Sequence, residues 1–496
     1  MANATIDEVY ERLCDTGPEF GGWLSNHAPM AAEVLIHHGH ADRVHRWLDD
    51  YRDNLEPRPR GISPIRAEEW RDALGDPTRT GDWLNYFERE MATDPWPDVL
   101  ARWWPRLLPG IAAGATHGVI RVGHAVRALL TPPDSPRPPA LATPPDSPRP
   151  PALATPPDSA LPAAVVVPPG SALPAAVARL DAAFPAAVVA PLDAAFPAAG
   201  VTPPDSTLPA AVNGLASSAV PRNLSGVASD SGLSSPPAAA FPAGAFHPPA
   251  GRVAELGQAL AYWAARWQPM ALPGSGPYRT TDPRSALDAV PRVPDQRFGI
   301  RSRLAQLADL PAWPDVPTGR GLWIPDGPSP APSGAPDVPF LQGRGPVHAE
   351  PPAAGEIPSA ARPLATDENT VHDRILAIIE AAVIRQAGYG YANPVMLVHA
   401  ATAPTAVLRT LPALPGALHL PSLAAAWAAT AAVTSAYAPK RARPVTPRPG
   451  TSPEDLMAFA ADNGDAHAIK LADAAIEAGA VEALACAYRA LERFAP

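Results

Sequence analysis

All but two of the 39 lysines and arginines in this 496-residue chain are arginine. One of the two lysines follows a histidine by three residues, in His467-Ala468-Ile469-Lys470. That spacing puts both side chains on one helix face. Arginine keeps its proton at any physiological pH, whereas a buried lysine can lose its own and serve as nucleophile, base or carbamate. Lys470 is therefore a candidate for chemistry that arginine cannot do. The plainer reading is a surface lysine paired with Asp473, also three residues on. The other lysine, Lys440, lies in the solvated-looking stretch APKRARPVTPRP.

The chain has 13 histidines. His37, His38, His40 and His45 straddle a helix end, where polar groups meet carbonyls and the dipole, and read as a solvated terminus. His247, His348 and His419 fall in loops near prolines, and His372 fits the first turn of a helix; none receives a role. Five others sit among small apolar residues. His27 follows Asn26 at a helix start. His117 and His124 flank Arg121 in ATHGVIRVGHA, a stripe at helical spacing. His399 lies in VMLVHA, and His467 precedes Lys470. Singly, each reads as a satisfied core residue. Together, five such histidines on four helices read as the lining of a site. His117 and His124 need not both touch one metal; one could ligate while the other holds substrate or a water.

Imidazoles without a carboxylate motif suit iron, copper or zinc rather than magnesium or calcium. The sequence has no HExxH, no CxxC pair and no GxGxxG after a strand, which leaves zincin and Rossmann chemistry unsupported. It has no GxSxG elbow. An all-imidazole site lacks an anionic ligand. A lysine carbamate would supply one, since burial and a nearby metal favour the neutral amine that adds carbon dioxide. Lys470 is the candidate.

The elements that must position these residues are helical. Helices are expected over HAPMAAEVLIHHG, ADRVHRWLDDYRDNL, residues 95–108, one long helix at 110–130, 252–267, 394–409 with Asn393 as cap and Pro394 opening it, and 466–478 between Asp465 and Gly479. Alternating β-branched runs are nearly missing, so the fold class is all-α. Residues 131–212 are a degenerate twelve-residue repeat beginning TPPDSPRPPALA. Its prolines block helix and ladder alike, and it has few bulky side chains to offset ordering entropy. Residues 131–250 are expected to be a disordered insertion and 311–363 a Pro/Gly-rich loop. Residues 1–130 and 251–496 then make one helical domain.

A net charge of −10 and the lack of a basic stripe argue against a nucleic-acid partner. Cys14 and Cys486 form no metal or redox spacing and suit a reducing cytoplasm. The N-terminus carries no signal-peptide pattern. The uncharged run 418–439 is Ala-rich and broken by Pro421, so it reads as a buried helix rather than a membrane span.

These same segments resemble the questin oxidase family. The matching strings are NHAPM (26–30), LLPG (107–110) with ATHGVIRVGHAVRAL (115–129), ELGQALAYWAARW (255–267), VMLVHAATAP (395–404) and HAIKLADA (467–474). The resemblance implies a fungal-polyketide type of oxidoreductase that opens anthraquinone-like rings in a Baeyer–Villiger-like or dioxygenase-like reaction, in some members with NADPH. It also implies non-haem iron (Fe) held by four histidines and a carboxylated lysine. Carried over, these are His27, His117 or His124, His399 and His467, with Lys470 as the carbamate. Of the pair, His124 is read as the metal ligand, and His117 with Arg121 as catalytic, Arg121 holding a phenolate or quinone oxygen. Trp103, Trp104 and Tyr391 are candidate walls for a flat ring, although aromatic core packing is the commoner reading for each. The expected partners are a small aromatic substrate and dioxygen, without nucleic acid or membrane. Two alternatives are a zinc or nickel hydrolase built on the carbamylated lysine, and a non-catalytic helical protein that binds aromatic ligands.

Overall fold

The computed structural model describes residues 4–132, 248–273, 275–279, 282–315 and 368–494. Most of the expected 131–250 insertion and most of the 311–363 loop lie outside the described residues, and Ala250 already opens a helix. The described residues fall within one unit of the chain.

The architecture is all-α, as the sequence predicts. In chain order the helices are α1 (Ile6–Leu13), α2 (Ala28–His37), α3 (Ala41–Arg52), α4 (Trp70–Ala73), α5 (Thr80–Thr93), α6 (Trp96–Leu107), α7 (His117–Leu130) and α8 (Ala250–Arg266). They continue as α9 (Pro283–Asp288), α10 (Ile300–Leu304), α11 (Glu368–Tyr389), α12 (Pro394–Thr410), α13 (His419–Tyr437), α14 (Pro453–Asn463), α15 (Ala466–Ala478) and α16 (Val481–Leu491). Strand structure among the described residues is slight. Glu19–Phe20 pairs antiparallel with Leu24–Ser25, and Ser275–Arg279 pairs parallel with Trp313–Asp315.

Helix α7 is the axis of the core. It packs against α2, α8 and α12, and α12 in turn packs against α11, α13 and α15. Small residues make these approaches close. A Cβ on Gly123 would stand 2.5 Å from the Ala406 Cα, so glycine is what lets α7 meet the α12 backbone. Pro404 lies inside α12 and leaves the Ala400 carbonyl without its helical donor. The Thr430 hydroxyl of α13 donates to that carbonyl at 2.9 Å, which fastens α13 beside His399. Gly416–Tyr437 is long and apolar enough to cross a membrane. Here its α13 part packs on α11 and α12, and Leu423 and Trp427 are buried in the core.

Residues 110–130 do not form one helix as expected. Two short 3-10 turns precede α7, and the backbone runs left-handed through Gly114 (φ 55°), Ala115 (φ 56°) and Thr116 (φ 66°). Left-handed alanine and threonine cost about 1–2 kcal/mol each. That conformation persists because the buried surroundings hold it.

Candidate metal centre

Four helices each bring one histidine to a common point. His27 occupies the N-cap position of α2. Asn26 shapes that start, accepting from the Ala28 N–H at 3.0 Å and donating to the Gly17 carbonyl at 3.0 Å. His117 opens α7, and His399 lies one turn into α12. His467 lies in the first turn of α15, where Asp465 caps the helix by accepting from the His467 and Ala468 N–H groups at 2.7 and 3.0 Å. The ligand atoms of the four all lie within 4.8 Å of one another.

The separations are short enough for the four side chains to share a cation. Nε2 of His117 is 2.9 Å from Nε2 of His27 and 3.0 Å from Nε2 of His399. Nδ1 of His117 lies 2.7 Å from the Gly114 carbonyl, so Nδ1 carries the proton and Nε2 presents a lone pair. One lone pair flanked by two further Nε2 atoms is crowded as a hydrogen-bond arrangement. Nitrogens about 2.1 Å from one metal ion and at right angles are about 3.0 Å apart, against about 3.4 Å for tetrahedral angles. The two closest spacings are thus ones that nitrogens sharing an ion would have.

Protonation agrees. Burial holds His27, His117 and His399 well below the usual imidazole range, with the Lys470 charge adding to the effect. His467 is lowered by the same causes, partly offset by Asp465. All four are therefore neutral near pH 7 and able to ligate. His399 is fully buried and its Nδ1 has no well-formed hydrogen bond, the Met396 main chain engaging it only weakly. Tyr51 supports His27, its hydroxyl accepting from the His27 main-chain N–H at 3.0 Å and lying 3.4 Å from Nδ1.

Lys470 is 1% exposed, and its Nζ has no hydrogen-bond partner. Burial lowers its pKa to about 7. An orphaned amine in a packed core is costly. It is explained if the nitrogen is normally modified or neutral.

A cavity of about 400 Å³ opens onto the histidines. Its walls include Trp23, Trp267, Met396 and Tyr437, with Glu19, Tyr262, Arg266 and Arg301 as polar members.

Residues 25–128 match the family model described as Questin oxidase-like.

The match supports the questin oxidase resemblance over that segment. It spans His27 and His117, while His399, His467 and Lys470 lie beyond it. No curated protein and no solved structure matches the chain.

The expected residues separate in the structure. His27, His117, His399 and His467 come together; His124 does not join them. Its Nδ1 lies 2.8 Å from Glu33 Oε2, and burial lowers its pKa to about 4, so it is a neutral donor to a carboxylate. Arg121 does not face the cavity either. Its Nε and Nη2 donate to Glu255 at 2.6 and 2.8 Å, and both residues are buried. Helical spacing put residues 117, 121 and 124 on one stripe, but only the first turn of α7 reaches the cavity. Trp103 and Trp104 are core residues rather than ring walls, Trp104 donating to Ser422 at 2.9 Å. Tyr391 is also away from the cavity, under the Arg443 guanidinium. His38 is no solvated terminus, since its Nε2 lies 2.9 Å from buried Asp473.

Sequence reasoning missed Glu19, Tyr51, Tyr262 and Arg266. Tyr262 and Arg266 are four apart on α8, a spacing that puts them on one face and was available as a signal. Glu19 depends on a two-residue strand that no periodicity announces.

Proposed function

We propose that the protein is a metal-dependent oxygenase that oxidises a flat, hydroxylated aromatic molecule, with non-haem iron held by His27, His117, His399 and His467. The observation that carries this reading is the convergence of four neutral imidazoles at the inner end of a largely apolar cavity. Softer and harder ions are less suited: there is no thiolate, and no carboxylate stands among the four donors. Bound iron would supply one-electron and dioxygen chemistry, with NADPH as a candidate reductant.

The protein's own groups have separable tasks. Gly114 fixes the tautomer of His117 through its carbonyl, and Tyr51 orients His27. Lys470 supports the fifth donor. Its neutral Nζ bonds to the carbon of carbon dioxide and releases a proton, giving a carbamate whose oxygen is anionic. That product would remove the orphaned amine and balance the charge of a divalent ion. Trp23, Trp267 and Tyr437 offer aromatic surface to a ring.

A hydrolase would use the carbamate to bridge two ions, but the four histidines supply one compact donor set. The test is oxygen uptake by anaerobically iron-loaded protein given 1,8-dihydroxyanthraquinone or a related hydroxylated anthraquinone, with and without NADPH. Uptake dependent on both iron and the aromatic compound is expected. Iron binding without uptake across a panel of such rings would reject the oxygenase reading.

A further inference from the structure

Arg266 is a charged side chain on the cavity wall whose hydrogen bonding is incomplete. One guanidinium nitrogen pairs with Glu19, yet its Nε is buried without a hydrogen-bond partner. Tyr262 stands one turn earlier on α8 and is 2% exposed. Burial first, then the nearby Glu19 charge, raises the pKa of its hydroxyl well above the usual phenol range. Tyr262 therefore remains a hydrogen-bond donor at neutral pH. The turn at Gly114 links this pair to the histidines. Its carbonyl holds His117, while a Cβ on Gly114 would be 3.5 Å from Arg266 Cβ and 3.7 Å from the Tyr262 hydroxyl.

Charge decides the kind of group that fits. With neutral histidines, the charged side chains lining the cavity are Glu19, Arg266 and Arg301. The balance is one positive charge in an otherwise mostly apolar space, which disfavours a cationic ligand and favours an oxygen acid. Glu19 already neutralises part of Arg266, so a fully charged carboxylate is not required. A phenol that shares or loses its proton suits an arginine–carboxylate pair, because Glu19 can accept its hydrogen and Arg266 can donate to its oxygen.

We infer that Arg266, with Tyr262 beside it, orients the substrate by binding an ionisable oxygen carried on the aromatic ring. This rests on the aromatic-substrate reading above and adds the residues that impose orientation, a role expected of Arg121 from the sequence. Substrates whose ring hydroxyls are methylated lose both the donated hydrogen and the developing negative charge.

The experiment uses chelator-treated, metal-free protein and two probes, 1,8-dihydroxyanthraquinone and its dimethyl ether, with binding followed by tryptophan quenching. Wild type is expected to prefer the free phenol by on the order of tenfold. Arg266→Gln should bring the two probes to near equality, Arg266→Lys should keep part of the preference, and Tyr262→Phe should lose part of it. Circular dichroism checks each variant for folding; if Arg266→Gln does not fold, the lysine and phenylalanine variants decide. Equal binding of the probes by wild type overturns the inference, as does an undiminished preference in the folded variants. A protein that shows the preference but never takes up metal leaves the orienting role standing and rejects the metal centre instead.

Discussion

His117 and Arg127 lie ten residues apart on α7, and each ends in a cluster built from the same four helices. His117 meets His27 of α2, His399 of α12 and His467 of α15. Arg127 donates to Glu33 of α2 at 2.8 Å and to Asp473 of α15 at 2.9 Å, and Asp473 also pairs with Arg409 of α12 at 2.8 Å. His38, just past α2, joins Asp473, and Glu477 of α15 accepts from Arg409. A buried ionic layer thus locks the helices whose other ends carry the histidines. His124 belongs to this layer through Glu33.

Replacing Arg127 with methionine leaves Glu33 and Asp473 buried with fewer partners. Removing one member of a buried ionic cluster costs about 3–5 kcal/mol. Urea denaturation of the metal-free variant should show that loss. A change below about 1 kcal/mol would mean the layer is incidental to stability.

Acid should weaken the fold in two stages. His124 and His37 both have folded pKa values of about 4, chiefly from burial, against about 6.5 unfolded. Between these values the unfolded chain binds more protons, so stability rises with pH and is lost as pH falls from about 6.5 toward 4. Glu33 and Asp473 are depressed below the usual carboxylate range, in spite of burial, by Arg127 and its neighbours. Their contribution is present above about pH 4 and is lost only at lower pH. Urea midpoints measured from pH 8 to 3 should decline first through the histidine window. His124→Gln, which keeps a donor for Glu33 but cannot titrate, should flatten that part of the curve.

Lys470→Met should stabilise the metal-free protein, since it replaces an orphaned buried amine with an apolar chain of similar length. A gain of about 1–4 kcal/mol is the scale for removing buried charge without leaving a partner behind. The same substitution should abolish most of the rise in melting temperature that iron gives the wild type. Scanning calorimetry with and without metal reads both effects. Destabilised metal-free protein would show that the amine is satisfied where it stands.

Two glycines of the α7 region should respond differently to alanine. A Cβ on Gly114 meets only van der Waals neighbours at 3.5 Å or more, so Gly114→Ala carries mainly the left-handed cost of about 1–2 kcal/mol. A Cβ on Gly123 strikes the α12 backbone, and Gly123→Ala should cost more, about 3 kcal/mol, because helices must separate. Thermal denaturation of the pair checks the order, which reverses only if α7 and α12 are not in contact.

The sequence carried the helices well where local signals end them. Asp465 and Gly479 bracket α15 as read, and Pro394 opens α12, although Asn393 donates to the Tyr437 carbonyl instead of capping. The apolar settings of His27, His399 and His467 also marked them correctly as interior. What spacing could not decide was the destination of residues sharing one stripe. Arg121 and His124 are claimed by Glu255 and Glu33, carboxylates on helices far away in sequence. The left-handed run at 114–116 was equally hidden, because alanine and threonine do not announce positive φ. Arg266 and Glu19 needed tertiary knowledge for the same reason as Arg121, since the two lie 247 residues apart.

The central claim is that His27, His117, His399 and His467 hold one ion, and that His124 does not. Metal content by mass spectrometry after anaerobic loading with ferrous iron tests it most directly, on wild type, His117→Ala and His124→Ala, each confirmed folded. One ion per chain is predicted in wild type and none retained in His117→Ala, with iron still bound in His124→Ala. Full occupancy in His117→Ala, or a metal-free wild type, would contradict the account.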